Sequence, residues 1–292
     1  MSSGFVDRQQ LGRRFSRVAA SYHEGDFFAR EIDRRMQERL DYVTLQPKRI
    51  FDLGCSRGGS FAALTARYPD ADLVGVDLSP AMLAASRPQK AAWQRWLGVG
   101  PRSASLGVAA DAAKLPLAVR SIGMVWSNLL LHWLDDPIPA LAEAHRVLEV
   151  GGLLMFSTLG PDSLKELRSV FSDGYAHTQR FADMHDLGDM LVGCGFADPV
   201  MDMEVITLTY DHLDAMFADL RAAGSMCAMK DRRHGLTGCR AWAAARTAYE
   251  KLRCDGKLPA TFEIVYGHAW KAAPRQTPDG RAIVRFDLPH KR

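Results

Sequence analysis

The sequence predicts an α/β protein built on an open, mainly parallel sheet with helices on both faces. Two observations lead there. Short apolar runs closed by small or acidic residues alternate with segments of helical periodicity. In addition, 47% of the 292 residues are hydrophobic and 24% charged, the balance of a folded chain with a sizeable core.

In order along the chain, apolar residues recur at helical spacing from about Phe27 to Leu40, and Gln46-Pro47 follows that helix. The run RIFDLGC reads as the first strand, followed by a helix through Phe61, Leu64 and Tyr68. DLVGVDLS is the second strand, and Ser79-Pro80 opens the helix AMLAAS, because proline suits a first helical turn. SLGVAAD, IGMVWSN and GLLMFST are further strands. Between the last two, DPIPALAEAHRVLEV forms an amphipathic helix expected to end at Gly151-Gly152. Helices follow through Leu164 and Leu167 and from Met184 to Val192, then VMDMEVITLTY and TFEIVYGHAW as the last strands. The stretch between these two strands is too long for a turn. With helical periodicity at 211–223 and 236–252, it is expected to cover the strand ends. The resulting organisation is an N-terminal helical cap over 1–48, a core over 49–210, a helical lid over 211–258, a last core strand over 259–272 and a tail over 273–292.

The formal net charge of +3 conceals an uneven distribution. Residues 51–220 carry 12 basic and 21 acidic side chains, whereas residues 221–257 carry 9 and 3. An acidic middle beside a basic insertion raises the question of a charged partner. No stretch approaches the roughly 20 apolar residues of a membrane helix. The opening MSSGFVDRQQLGRRF lacks the apolar centre of a secretory signal, so a cytoplasmic location is expected. Five cysteines, none two residues apart, read as thiols rather than as metal or redox pairs. No nucleic-acid-binding signature accompanies the basic segment. The expectation is a monomer with neither nucleic acid nor membrane as partner.

The strongest local signal is the turn Asp52-Leu53-Gly54-Cys55-Ser56-Arg57-Gly58-Gly59 after the first strand. Small residues there let backbone N–H groups approach a polar ligand. Asp77 ends the second strand about 20 residues later, where a carboxylate accepts ribose hydroxyls. Asp111-Ala112 closes the third strand, within reach of an adenine amino group. A dinucleotide site is the rival reading. However, a carboxylate opening the turn repels phosphates and suits an amine, which favours S-adenosylmethionine.

FDLGCSRGG, VGVDLSPAML, AADAAKLPL and VWSNLLLHWLDD resemble, in this order, the Rossmann-like, seven-stranded class I S-adenosylmethionine-dependent methyltransferases. More narrowly, RRFSRVAASYH, STLGPDSLKELR, RFADMHDLGDMLVGCGF, DRRHGLTG and EIVYGHAW are similar to the malonyl-[acyl-carrier protein] O-methyltransferases of biotin synthesis. The resemblance runs from about Val6 to Trp270. It implies that Asp52, Gly54, Ser56 and Gly58 surround the methionine end of the cofactor. Asp77 would hold the ribose, with Leu78 and Met82 beside it, and Asp111 and Ala112 would edge the adenine. Asn128 and Leu129 would lie near the transferred methyl, with Tyr22 closing over the cofactor. The family usually has GCGTG where this chain has GCSRG, so Ser56 adds a Cβ and Arg57 a positive charge near a cationic ligand.

The implied reaction transfers a methyl to the free carboxylate of malonyl-acyl-carrier protein or malonyl-CoA. That group is ionised at neutral pH, so no general base is required. His132, Trp133 and His268 are nevertheless candidates, and for each histidine a packed structural role competes with a catalytic one. Carboxylate recognition calls for a bidentate arginine. Arg168 is the first candidate, Arg232 and Arg233 are alternatives, and Tyr266 is a further substrate-side residue. Lys230, Arg232, Arg233, Arg240 and Arg246 are expected either to dock an acidic carrier protein or to form a solvated helix face. Two other classes stay open: an enzyme on the same core acting on a protein, as in respiratory complex I assembly factors, and a non-catalytic binding or assembly protein.

Overall fold

The computed structural model describes residues 5–86 and 106–273. The tail expected over 273–292 lies outside them apart from Ala273. Seven strands form one sheet: β1 (Arg49–Leu53), β2 (Asp72–Asp77), β3 (Leu106–Ala109), β4 (Ile122–Ser127), β5 (Leu148–Leu159), β6 (Ala197–Tyr210) and β7 (Leu258–Trp270). Their order is β3-β2-β1-β4-β5-β7-β6. β1 to β5 pair in parallel, and β7 runs antiparallel to both β5 and β6. The strand order reverses between β1 and β4, so the chain leaves these two strands in opposite directions and opens a crevice at their carboxyl ends.

Alternation along each strand sends side chains to two cores. Ile50, Met124, Trp126, Leu153 and Met155 face one side, with Ile32, Met36 and Leu64 from helices packed over them. Phe51, Val125, Leu154 and Phe156 face the other, beneath Leu141, Leu187 and Leu191. All six residues of β4 are buried, as expected for a central strand covered on both faces.

The described helices are α1 (Arg8–Val18), α2 (Tyr22–Gly25), α3 (Phe27–Arg39), α4 (Phe61–Arg67), α5 (Pro80–Ser86), α6 (Ile138–Val147), α7 (Lys165–Ser169), α8 (Met184–Gly193), α9 (Leu213–Ala222) and α10 (Cys239–Glu250). Asp7 caps α1 by accepting a hydrogen bond from Gln10 N at 2.9 Å, and Asp183 caps α8 through His185 N at 2.8 Å. Sequence periodicity misses α1, because Leu11 is its one fully buried side chain among arginines and glutamines. It also overextends α6. That helix stops at Val147, since Leu148 already pairs with Ile122 of β4, and the glycines expected to end the helix lie inside β5.

The chain's beginning reaches the segment between β6 and β7. Val6 forms a bridge with Met229, Asp7 N donates to Ala228 O at 2.7 Å, and Lys230 N donates to Phe5 O at 2.7 Å. Val6, Leu11, Trp133, Ala228 and Met229 form a third apolar cluster beneath that join.

Candidate functional site

A cavity of about 890 Å³ occupies the crevice at the carboxyl ends of β1, β2 and β4. Helices α1 to α3 and the 217–227 region contribute to its walls. The turn after β1 forms its floor. Gly54 adopts φ +78°, and a Cβ there would press on Leu130 at 3.1 Å, so glycine suits both the backbone and the space. Gly54 N and Cys55 N donate to Val76 O at 2.8 and 3.0 Å, which binds the turn to β2. Both carboxylate oxygens of Asp77 accept backbone hydrogen bonds, from Ser56 N at 3.0 Å and Ser79 N at 2.7 Å.

The electrostatics of the cavity are acidic. Asp52 is buried, lines the cavity and has no hydrogen-bond partner for Oδ2. Burial, followed by the neighbouring charges of Asp33 and Asp77, pushes its carboxyl well above the ordinary range. Burial also raises Asp77, while the Ser79 and Ser56 N–H groups oppose the rise. Asp33, from α3, lines the same cavity and is likewise raised by burial. It accepts from Ser60 Oγ at 2.6 Å and from Trp126 Nε1 at 3.0 Å. Buried Asp52 and Asp33 and half-buried Asp77 thus gather three carboxyls at one end of the cavity, one of them with an oxygen unpartnered among the described residues.

Tyr22, Leu78, Ala112 and Leu129 also line the cavity. Burial raises the Tyr22 phenol, and the Ser56 side chain beside it partly offsets that rise. Asp111 lines the wall in an ion pair with Arg8 at 2.6 Å. Burial would raise its carboxyl, but the Ala113 N–H and Arg8 outweigh burial and hold it below the ordinary range. Asn128 reaches Ala29 O through Nδ2 at 2.8 Å and accepts from Ser157 Oγ through Oδ1 at 2.7 Å, which joins α3, β4 and β5 at the cavity edge. Leu129 follows with φ +54°, a left-handed conformation uncommon for leucine, fixed by its N–H on Ser157.

Two expected cofactor residues lie off the cavity. Gly58 packs against the Phe61 ring, and Met82 is fully buried in the apolar interior. The histidines divide. His132 and Trp133 line the cavity, where burial pushes His132 down to about 3 and keeps its ring neutral. His268 stands on β7 opposite Met155 and Val200, away from the cavity.

The four expected substrate residues also lie off the cavity wall, and each makes polar contacts elsewhere. Arg168 donates to the carbonyls of Ser163 and Pro161, securing the turn before its own helix. Arg232 bridges Met229 O and Asp7. Arg233 donates to Leu236 O at 3.0 Å and lies over the Tyr175 ring. The Tyr266 hydroxyl meets Glu204, and its ring lies 3.6 Å beneath the Arg39 guanidinium.

Sequence reasoning missed Asp33 altogether. Its signal is faint: Asp33 and Gln37 share the buried side of α3 with Ile32 and Met36, an acid within an apolar stripe. Gln179, buried at the other wall, was missed too. Its Oε1 lacks a partner, and no motif surrounds it.

A family profile described as methyltransferase domain matches residues 51–156. The chain is similar to a protein of Gallionella capsiferriformans named malonyl-[acyl-carrier protein] O-methyltransferase. They are 48% identical over 287 residues, 98% of each chain. A protein of the same name from Laribacter hongkongensis is 48% identical over 291 residues, covering 98% of this chain and 97% of the relative. Among solved structures, the YcgJ protein of Bacillus subtilis aligns with a TM-score of 0.56 at 12% identity, over 82% of this chain and 100% of that one. The [4+2]-cyclase SpnF aligns with a TM-score of 0.51 at 22% identity, over 82% of each chain. These two likenesses show a shared fold, and the second, titled a cyclase, shows that the fold alone does not fix the chemistry.

Proposed function

The chain belongs to the malonyl-[acyl-carrier protein] O-methyltransferases, and from that membership we propose that it transfers a methyl group from S-adenosylmethionine to the free carboxylate of a malonyl thioester. The product is the malonyl methyl ester, whose masked charge suits it as a primer for the pimeloyl chain of biotin. The observation that supports the cofactor most directly is Asp52, a buried residue of the cavity lining whose carboxyl is raised by burial and whose Oδ2 has no partner among the described residues. An ammonium group beside it would satisfy the oxygen and return the carboxyl to its ionised form.

On this reading Asp52 and the Gly54 turn receive the amino-acid end, Asp77 and Leu78 the ribose, and Asp111 with Ala112 the adenine. Asp77 has a competing demand, because both its oxygens already accept backbone N–H groups, leaving only their remaining lone pairs for hydroxyls. S-adenosylmethionine supplies an electrophilic methyl on a sulfonium centre when bound. The chain's own contribution is to orient a carboxylate that is already ionised and to exclude water from it. His132, held neutral, and Asn128, hydrogen-bonded through both side-chain ends, wall the cavity as fixed dipoles rather than as proton acceptors.

An acidic carrier protein fits the basic 221–257 segment as docking partner. Within it Arg232 and Arg246 are paired with Asp7 and Asp214, while Lys230 and Arg240 are exposed. Mass spectrometry of malonyl-acyl-carrier protein after incubation with enzyme and S-adenosylmethionine tests the proposal. The expected result is a gain of one methyl on the malonyl group, and no gain despite demonstrated cofactor binding would overturn it.

A further inference from the structure

The turn after β1 carries an arginine at its tip, where a positive charge beside a cationic ligand would weaken binding if it faced the acidic pocket. Arg57 does line the cavity, but the hydrogen bonds of its guanidinium run to backbone carbonyls and an imidazole. Arg57 donates through Nη1 to Ala20 O at 3.2 Å and approaches His23 Nδ1 at 2.8 Å. Through Nε and Nη2 it donates to Ala85 O at 3.3 and 3.2 Å. One guanidinium therefore joins three pieces of chain: the turn after β1, the last turn of α5, and the link between α1 and α2.

Ala20 lies just past α1, and Ala85 lies in the last described turn of α5. A planar guanidinium with five donors in a fixed fork can serve both carbonyls and still reach the imidazole. The neighbouring residue of the turn points the same way, since the Ser56 side chain stands beside the Tyr22 phenol. Ala20, Tyr22 and His23 all line the cavity, so this link forms one of its walls, its roof, with Tyr22 beside Ser56 and near Asp77.

We propose that Arg57 is a positioning residue that latches the α1–α2 link across the cofactor pocket and thereby sets how long the cofactor stays. The inference rests on the S-adenosylmethionine reading above. It turns a charge that looked harmful into a fastening: the guanidinium is occupied by carbonyls and an imidazole, and the roof it holds excludes water from the acidic pocket. Two further consequences follow. The latch acts on release more than on encounter, because its bonds form only when the link is down. It also acts through the roof, so a variant that removes the His23 acceptor acts in the same direction as one that removes the arginine, but more weakly, because Ala20 O remains.

The test is stopped-flow dissociation of S-adenosylhomocysteine from the full-length protein, its Arg57→Ala and His23→Leu variants and the double variant. Losing charge-assisted hydrogen bonds of this kind is expected to raise the dissociation rate constant about tenfold in Arg57→Ala. His23→Leu should give a smaller rise, and the double variant should be no faster than Arg57→Ala, because both act on one contact. KM for S-adenosylmethionine should rise by a larger factor than kcat falls. Bound S-adenosylhomocysteine should protect the Arg13 and Arg17 bonds from trypsin in the parent and fail to do so in Arg57→Ala. Dissociation rates within twofold of the parent, or fully additive effects in the double variant, would overturn the latch. Failure of the parent itself to bind S-adenosylhomocysteine would instead overturn the cofactor reading. His23→Leu leaves the turn unaltered and keeps the latch testable should Arg57→Ala fold poorly.

Discussion

Asp52 holds a carboxyl that burial and two neighbouring acids keep protonated well above the usual range. The folded chain therefore keeps a proton that the unfolded chain releases at about pH 4, and folding stability falls as pH rises from there through the raised folded value. Asp52→Asn should flatten that fall and weaken S-adenosylhomocysteine binding by about 2 kcal/mol, roughly thirtyfold in Kd. Thermal melts across pH with and without the ligand measure both effects. A variant that binds normally removes Asp52 from the pocket. His132 supplies a second prediction. Held neutral with its pKa near 3, it should leave kcat flat between about pH 5.5 and 8 at saturating substrates. An inflection there that disappears in His132→Asn would show the ring titrating in catalysis. At this scale the sequence was readable where function is local. Gly54 and Asp77 announce themselves by turn chemistry and strand-end spacing, and both line the cavity. Arg168 was less legible, because its residue type suits equally well the clamping of a carboxylate and the capping of a backbone turn. The carbonyls of Ser163 and Pro161 that its guanidinium meets are brought near only by folding.

Elements were legible to the extent that their periodicity was pure. β4 is buried throughout and was placed from its apolar run, whereas α1 buries so little that its arginines mask it. The early start of β5 depended on a ladder partner, Ile122, that no local window around Leu148 contains. The pairing of β5 with β7 also makes a specific demand. A Cβ on Gly267 would lie 2.3 Å from the Phe156 ring and 2.9 Å from Met201 Sδ, both held between neighbouring strands. Gly267→Ala is expected to destabilise the protein by roughly 1–3 kcal/mol through overpacking. Urea denaturation should show a lower midpoint with an unchanged slope. An unchanged midpoint would mean that the Phe156 ring moves aside freely.

Across the whole molecule, charge is segregated: the acidic region supplies the pocket, and the basic stretch lies between β6 and β7. If that stretch receives an acidic carrier, raising ionic strength from about 0.05 to 0.5 M should increase KM for malonyl-acyl-carrier protein several-fold while changing KM for malonyl-CoA much less. Equal responses would mean that the basic residues merely keep the surface solvated. The broad plan of the molecule was legible because strand and helix alternate locally. The meeting of Val6 with Met229 was not, since nothing near either residue refers to the other. That contact has a consequence for how the protein is made. Val6 must wait for more than two hundred later residues before its partner emerges from the ribosome. During synthesis the turn after β1 is therefore made long before the stretch that Val6 joins, and the tie between the start of α1 and the 228–230 segment is among the later contacts the chain can form.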